Sequence, residues 1–181
     1  MRSDKIVQFV SFETTLDSEK FISKWEQYKR SVNSDLDVIL QQTEKNGLFR
    51  YVVQHYCDAG ELQFVFSNAK RPSRIPEVEI KTKQLGGYSM LQTERTNDAR
   101  SDESKAFAFL VNPLTDLDIY RQLPVNKKLN IYEAYYENCQ YAYVLEFFIK
   151  NKLVAELQQQ LKQFDGIETA IYKECSLPAF K

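Results

Sequence analysis

Histidine occurs once in this chain of 181 residues, tryptophan once and cysteine three times. A single imidazole excludes every catalytic arrangement that needs two histidines, and every multi-histidine metal site, so no metal is expected. The cysteines, Cys57, Cys139 and Cys175, are odd in number and lack Cys-x-x-Cys spacing, which leaves at least one thiol unpaired in any disulfide scheme. No stretch approaches the roughly 20 apolar residues of a membrane span, and residues 1–12 lack a sustained apolar core of secretory length. An excess of one charge is missing too: 24 Lys plus Arg stand against 25 Asp plus Glu. No overall field draws the chain to nucleic acid or to an anionic membrane. These absences predict a cytoplasmic protein in a reducing compartment.

What is present is apolar and aromatic. Hydrophobic residues make up 43%, and the 11 Tyr and 12 Phe promise an aromatic-rich core. Residues 6–13 (IVQFVSFE) read as a strand. Asp17 and Ser18 follow as candidate N-caps of a helix in which Phe21, Trp25, Tyr28 and Val32 share one face. Residues 37–44 and 48–57 are strand-like runs joined through Gly47, a hairpin pattern. Helical spacing returns at Leu62, Val65, Phe66 and Ala69. The Gly86-Gly87 pair reads as a turn before a strand at 88–94.

Residues 95–104 (RTNDARSDES) are polar and charged without apolar pattern and read as a solvated linker. A second unit follows: strand 105–112, a short helix within 115–123 ended by Pro124, and strands 128–136 and 140–149. A helix at 151–164 carries the stripe Val154, Leu157, Leu161, Phe164, and Gly166 as its C-terminal cap precedes a last strand at 167–175. The order strand, helix, strand, strand, helix, strand is thus written twice. Tyr51 to Tyr56 (YVVQHY) aligns with Tyr143 to Phe148 (YVLEFF) at the same stage of each half. The fold expected is α+β: two tandem ferredoxin-like βαββαβ halves, 1–94 and 105–181, whose antiparallel sheets pack into an intrachain α/β barrel. Fusion of the halves predicts a monomer or a weak homodimer.

In residues 6–56, with Trp25 in the first helix, and in residues 141–175, the pattern resembles the dimeric α/β-barrel superfamily, in particular tandem antibiotic-biosynthesis-monooxygenase-like domains. The resemblance implies a small-molecule-binding protein, with a cofactor-independent monooxygenase acting on a hydrophobic or aromatic substrate as one form. It implies no resident cofactor. The superfamily also includes haem degraders and chlorite dismutases, which leaves haem binding as a further alternative. Haem degraders resemble one another in an Asn on the first strand and a His on the second helix. Here the first strand offers Gln8 and Ser11, and residues 57–70 contain no His.

His55 is the candidate catalytic residue, as acid or base, or as a haem ligand; the competing reading is a packed structural histidine. Tyr51 and Trp25 are the candidate substrate-binding residues, with core packing as the alternative for both. Cys57 lies two positions from His55 and is either an assisted thiolate or a bystander. Glu133 and Glu146 interrupt apolar runs, as solvent-facing carboxylates or as buried acids with raised pKa. The rival class is a non-catalytic binding or structural protein whose barrel is filled by its own aromatic side chains.

Overall fold

The computed structural model describes residues 5–30, 37–43, 50–58, 81–95, 99–135 and 139–174. Eight strands carry the fold: β1 (Lys5–Glu13), β2 (Asp37–Gln42), β3 (Tyr51–Asp58), β4 (Lys81–Gln92), β5 (Glu103–Leu110), β6 (Lys128–Ala134), β7 (Tyr143–Lys150) and β8 (Ile167–Glu174). Helix α1 is Ser18–Arg30, α2 is Asp118–Arg121, and α3 is Val154–Leu161, entered through a 3-10 turn at Asn151–Leu153. Asp17 caps α1 by accepting the Lys20 amide at 2.9 Å, as the sequence predicts. The first-half helix expected at 62–69 lies outside the described residues.

The strands pair antiparallel in the closed order β1-β3-β2-β8-β5-β7-β6-β4. Each half therefore contributes a four-stranded sheet, β4-β1-β3-β2 or β8-β5-β7-β6. The β2–β8 and β4–β6 pairings join the sheets. Closure within one chain leaves no open sheet edge among the described strands. Within the stretch read as a linker, Arg95 pairs with Glu103 at 2.6 Å, and Glu174 accepts the Ala99 amide at 3.1 Å.

Alternation along the strands divides the side chains between two environments. Outward-facing Val10, Phe12, Ile39, Tyr51 and Val53 pack against Phe21 and Ile22 of α1. In the second half Ala106, Ala108, Leu110, Leu129, Leu145 and Phe147 pack against Leu157 and Leu161 of α3 and Tyr120 of α2. The inward set fills the barrel. The Phe9 ring lies edge-on to Tyr88 (5.5 Å between centroids), Tyr132 (5.3 Å) and Phe107 (6.2 Å), while Phe107 stacks on Phe109 and meets Tyr172 edge-on. An eight-stranded barrel is just wide enough for such side chains to fill it.

One local expectation is corrected. Gly86 and Gly87 lie inside β4, not in a turn before it. Opposite them the β1–β4 register shifts between Phe9 and Val10, so the glycines serve a bulge. Gly86 has φ 128°, and a Cβ there would meet Cys139 Sγ at 2.5 Å. Backbone freedom and close approach both require glycine at this point.

Candidate functional site

Buried polar groups in two places stand out, a cluster and a single side chain, and they differ in whether their hydrogen-bonding capacity is used. The first is inside the barrel. Gln54 of β3, Lys105 of β5, Asn130 and Tyr132 of β6 and Glu146 of β7 are all buried. Glu146 is the hub. Its Oε1 accepts Asn130 Nδ2 and Tyr132 OH, each at 3.0 Å, and its Oε2 accepts Gln54 Nε2 at 2.6 Å. Lys105 Nζ donates to Gln54 Oε1 at 3.1 Å and lies 3.7 Å from Glu146 Oε2.

The network extends toward one barrel end. Asn130 Oδ1 accepts the amides of Glu94 and Arg95, and its Nδ2 also donates to the Arg95 carbonyl. Arg95 and Lys105 both lie over the Phe148 ring, at 4.7 and 5.1 Å from its centroid. Burial first, and then the Glu146 carboxylate, hold the Tyr132 phenol well above its ordinary pKa, so it stays a neutral donor. The carboxylate is compensated on both oxygens by groups of this chain. Such a cluster fixes the barrel interior and joins the halves through Gln54; it presents no free group to a substrate. Glu146 is accordingly a buried acid, not the solvent-facing carboxylate that a charge in a strand more often is. Glu133 is half-buried.

The second place is the outward face of the first-half sheet. Gln8 shares the outward parity of Ile6, Val10 and Phe12, and it is fully buried. Neither its Oε1 nor its Nε2 has a partner among the described residues. The register sets Gln8 opposite His55 of β3 on one side and Gly87 of β4 on the other. The corresponding row of the second half is Ala106, opposite Phe147 and Ile171. Equivalent rows of the two sheets thus read glutamine, histidine and glycine in one and alanine, phenylalanine and isoleucine in the other.

Of the residues the sequence nominated, Tyr51 is buried and stacked on Phe21 at 4.2 Å, with its hydroxyl donating to the Leu16 carbonyl at 3.0 Å. Its polar end is used in holding α1 to the sheet. His55 and Trp25 occupy β3 and α1, but their side chains lie outside the described residues, as does that of Cys57. Among the described residues no group of His, Cys, Asp and Glu is arranged to hold a metal ion. In the sequence Gln8 stood out only as what the first strand offers in place of the haem degraders' Asn, not as a candidate site residue. Its signal was a polar side chain at an outward position of an otherwise apolar strand.

An unpaired amide buried in an apolar face costs about 1–3 kcal/mol. Gln8→Met, which keeps the volume and removes both polar atoms, is therefore expected to raise the stability of the ligand-free protein by about 1 kcal/mol or more in urea denaturation. A loss of stability would mean that Gln8 is satisfied within the folded chain.

Solved structures with a similar architecture include chlorite dismutases. A mutant of the enzyme from Candidatus Nitrospira defluvii, in complex with cyanide, aligns over 97% of this chain and 92% of its own, with a TM-score of 0.61 and 8% identity. A candidate chlorite dismutase aligns over 96% of both chains, with a TM-score of 0.59 and 9% identity. The chain has the dimeric α/β-barrel fold of the chlorite dismutases. At such identity the likeness is one of fold alone. A candidate monooxygenase from Lactobacillus acidophilus NCFM aligns at a TM-score of 0.47 with 8% identity. No protein-family model and no curated protein matches the sequence. Among the described residues no helix is long and apolar enough to cross a membrane.

Within this dimeric α/β-barrel fold a planar group such as haem needs a slot. The barrel interior is filled by its own rings, and the space between sheet and helices in the second half is taken by Leu123, Leu157, Leu161 and Tyr120. Among the described residues, side chains of this chain occupy both spaces.

Proposed function

We propose that the protein binds a small hydrophobic or aromatic molecule on the outward face of its first-half sheet, at the row formed by Gln8, His55 and Gly87. The observation that carries this reading is Gln8: a carboxamide fully buried in an apolar face, with neither end partnered among the described residues. Stability alone selects against such a group, and the equivalent position of the second half is alanine. A ligand that supplies the missing partners explains why it is there. The self-filled barrel supports placing the ligand outside the barrel rather than in it. In this reading His55 is the acid or base available to a reaction on the bound molecule, and Tyr51 anchors α1 as the wall of the site.

Native mass spectrometry of the purified wild-type protein and of Gln8→Met, each before and after incubation with haem, tests this. The expected result is a small-molecule adduct on the wild type that is reduced or absent in Gln8→Met. A stoichiometric haem adduct and a Soret band that disappear in His55→Ala would identify the molecule as haem. A wild type that is empty, ignores haem and matches Gln8→Met would overturn the reading. The same spectra report assembly, and barrel closure within one chain supports a monomer or weak homodimer. The odd count of cysteines supports a cytoplasmic setting.

A further inference from the structure

Gln8 leaves unpaired not one polar atom but two of opposite kind. Its Oε1 is an acceptor and its Nε2 a donor, and both ends of the buried carboxamide lack partners among the described residues. A ligand with a lone carbonyl or ether satisfies one of them and leaves the other buried and unpaired. A carboxylate supplies acceptors only and brings a charge into an apolar face. A planar edge with a donor beside an acceptor satisfies both ends at once, and the cis-amide, an N–H beside a C=O, is one that does so without a charge.

The register leaves the β4 side of Gln8 without a side chain. Gln8's register partner on β4 is Gly87, where the second half has Ile171 opposite Ala106. Replacing isoleucine by glycine in this row removes a branched side chain beside the carboxamide. The neighbouring Gly86 is explained by its φ and by Cys139, whereas φ at Gly87 is not in the positive range.

From this pairing of a doubly unsatisfied carboxamide with a glycine we infer that the ligand class is a neutral planar lactam or imide, held by two hydrogen bonds between its amide edge and the Gln8 side chain. This rests on the reading of the first-half face as the binding site. Two parallel hydrogen bonds in a desolvated face fix the ligand's orientation as well as its affinity.

The test uses two bicyclic probes of nearly equal size, titrated into the full chain by isothermal calorimetry. One is 2-quinolinone, which carries the cis-amide edge; the other is 2-methoxyquinoline, which has acceptors but no donor. The expected result is that wild type prefers 2-quinolinone by about tenfold or more, the ratio that separates satisfied from unsatisfied buried polar groups. In Gln8→Met and Gln8→Leu, with circular dichroism confirming the fold, the preference falls to about one. Equal binding of both probes to wild type and variants overturns the amide-edge inference while leaving an apolar binding site in place. Binding of neither probe overturns it as well, and the native mass spectra then decide the binding reading separately.

Discussion

Replacing Glu146 by alanine is expected to remove about 3–5 kcal/mol of stability, the range for breaking a buried ion pair from one side. The loss is large because one carboxylate serves four groups. Without it, Asn130 and Tyr132 lose the acceptor they share, Gln54 loses its 2.6 Å contact, and the Lys105 ammonium keeps the Gln54 carbonyl and the Phe148 ring but no anion. Against a typical domain stability of about 5–15 kcal/mol, the variant would be marginal at room temperature. Lys105→Met is expected to be milder, since it removes one cation and leaves the carboxylate with three neutral donors. Urea denaturation with an unchanged m-value measures both. A Glu146→Ala variant within about 1 kcal/mol of wild type would show that water satisfies the network once the carboxylate is gone.

Gly86→Ala is expected to destabilise by about 2–4 kcal/mol, combining a strained backbone with an overpacked contact. The backbone contribution comes from φ 128°, which L side chains rarely adopt. The packing contribution comes from Cys139, whose Sγ, Cβ and Cα would lie 2.5, 3.0 and 3.2 Å from the new methyl group. Cys139 also donates from Sγ to the Gly87 carbonyl at 3.3 Å, so displacing the thiol breaks a contact across the bulge. The double variant Gly86→Ala with Cys139→Ala separates the two effects. Removing sulfur relieves the closest clash but not the backbone strain, and partial recovery is expected. Full recovery would mean that the φ value carries no penalty, and no recovery would assign the whole loss to the backbone.

The elements were legible wherever a residue's local pattern matches its tertiary environment. The stripe Val154, Leu157, Leu161 and Phe164 is read from spacing alone, and Leu157 and Leu161 are the buried residues of α3. Asp17 is legible as a cap because a cap is a bond within one turn. The two glycines were misread because Gly-Gly ordinarily punctuates a chain, whereas a bulge is required by the register against β1, a strand far earlier in the sequence. Glu146 was ambiguous for a different reason. Strand β7 is apolar on both faces, so alternation alone does not say which face is the barrel interior. Its partner Gln54 lies 92 residues away, and no local pattern links them.

By itself the sequence determined the types and order of these elements, the aromatic character of the interior and the exclusion of multi-histidine chemistry. These follow from periodicity, composition and residue counts, all of which act over short spans of chain or over none. Tertiary structure alone decided which faces became the inside of the barrel. It also decided that Glu146 meets donors from three other strands, and that Gln8 is buried opposite a glycine with no partner among the described residues. Such facts depend on strand register, and a shift of one residue would carry every side chain of a strand to its other face.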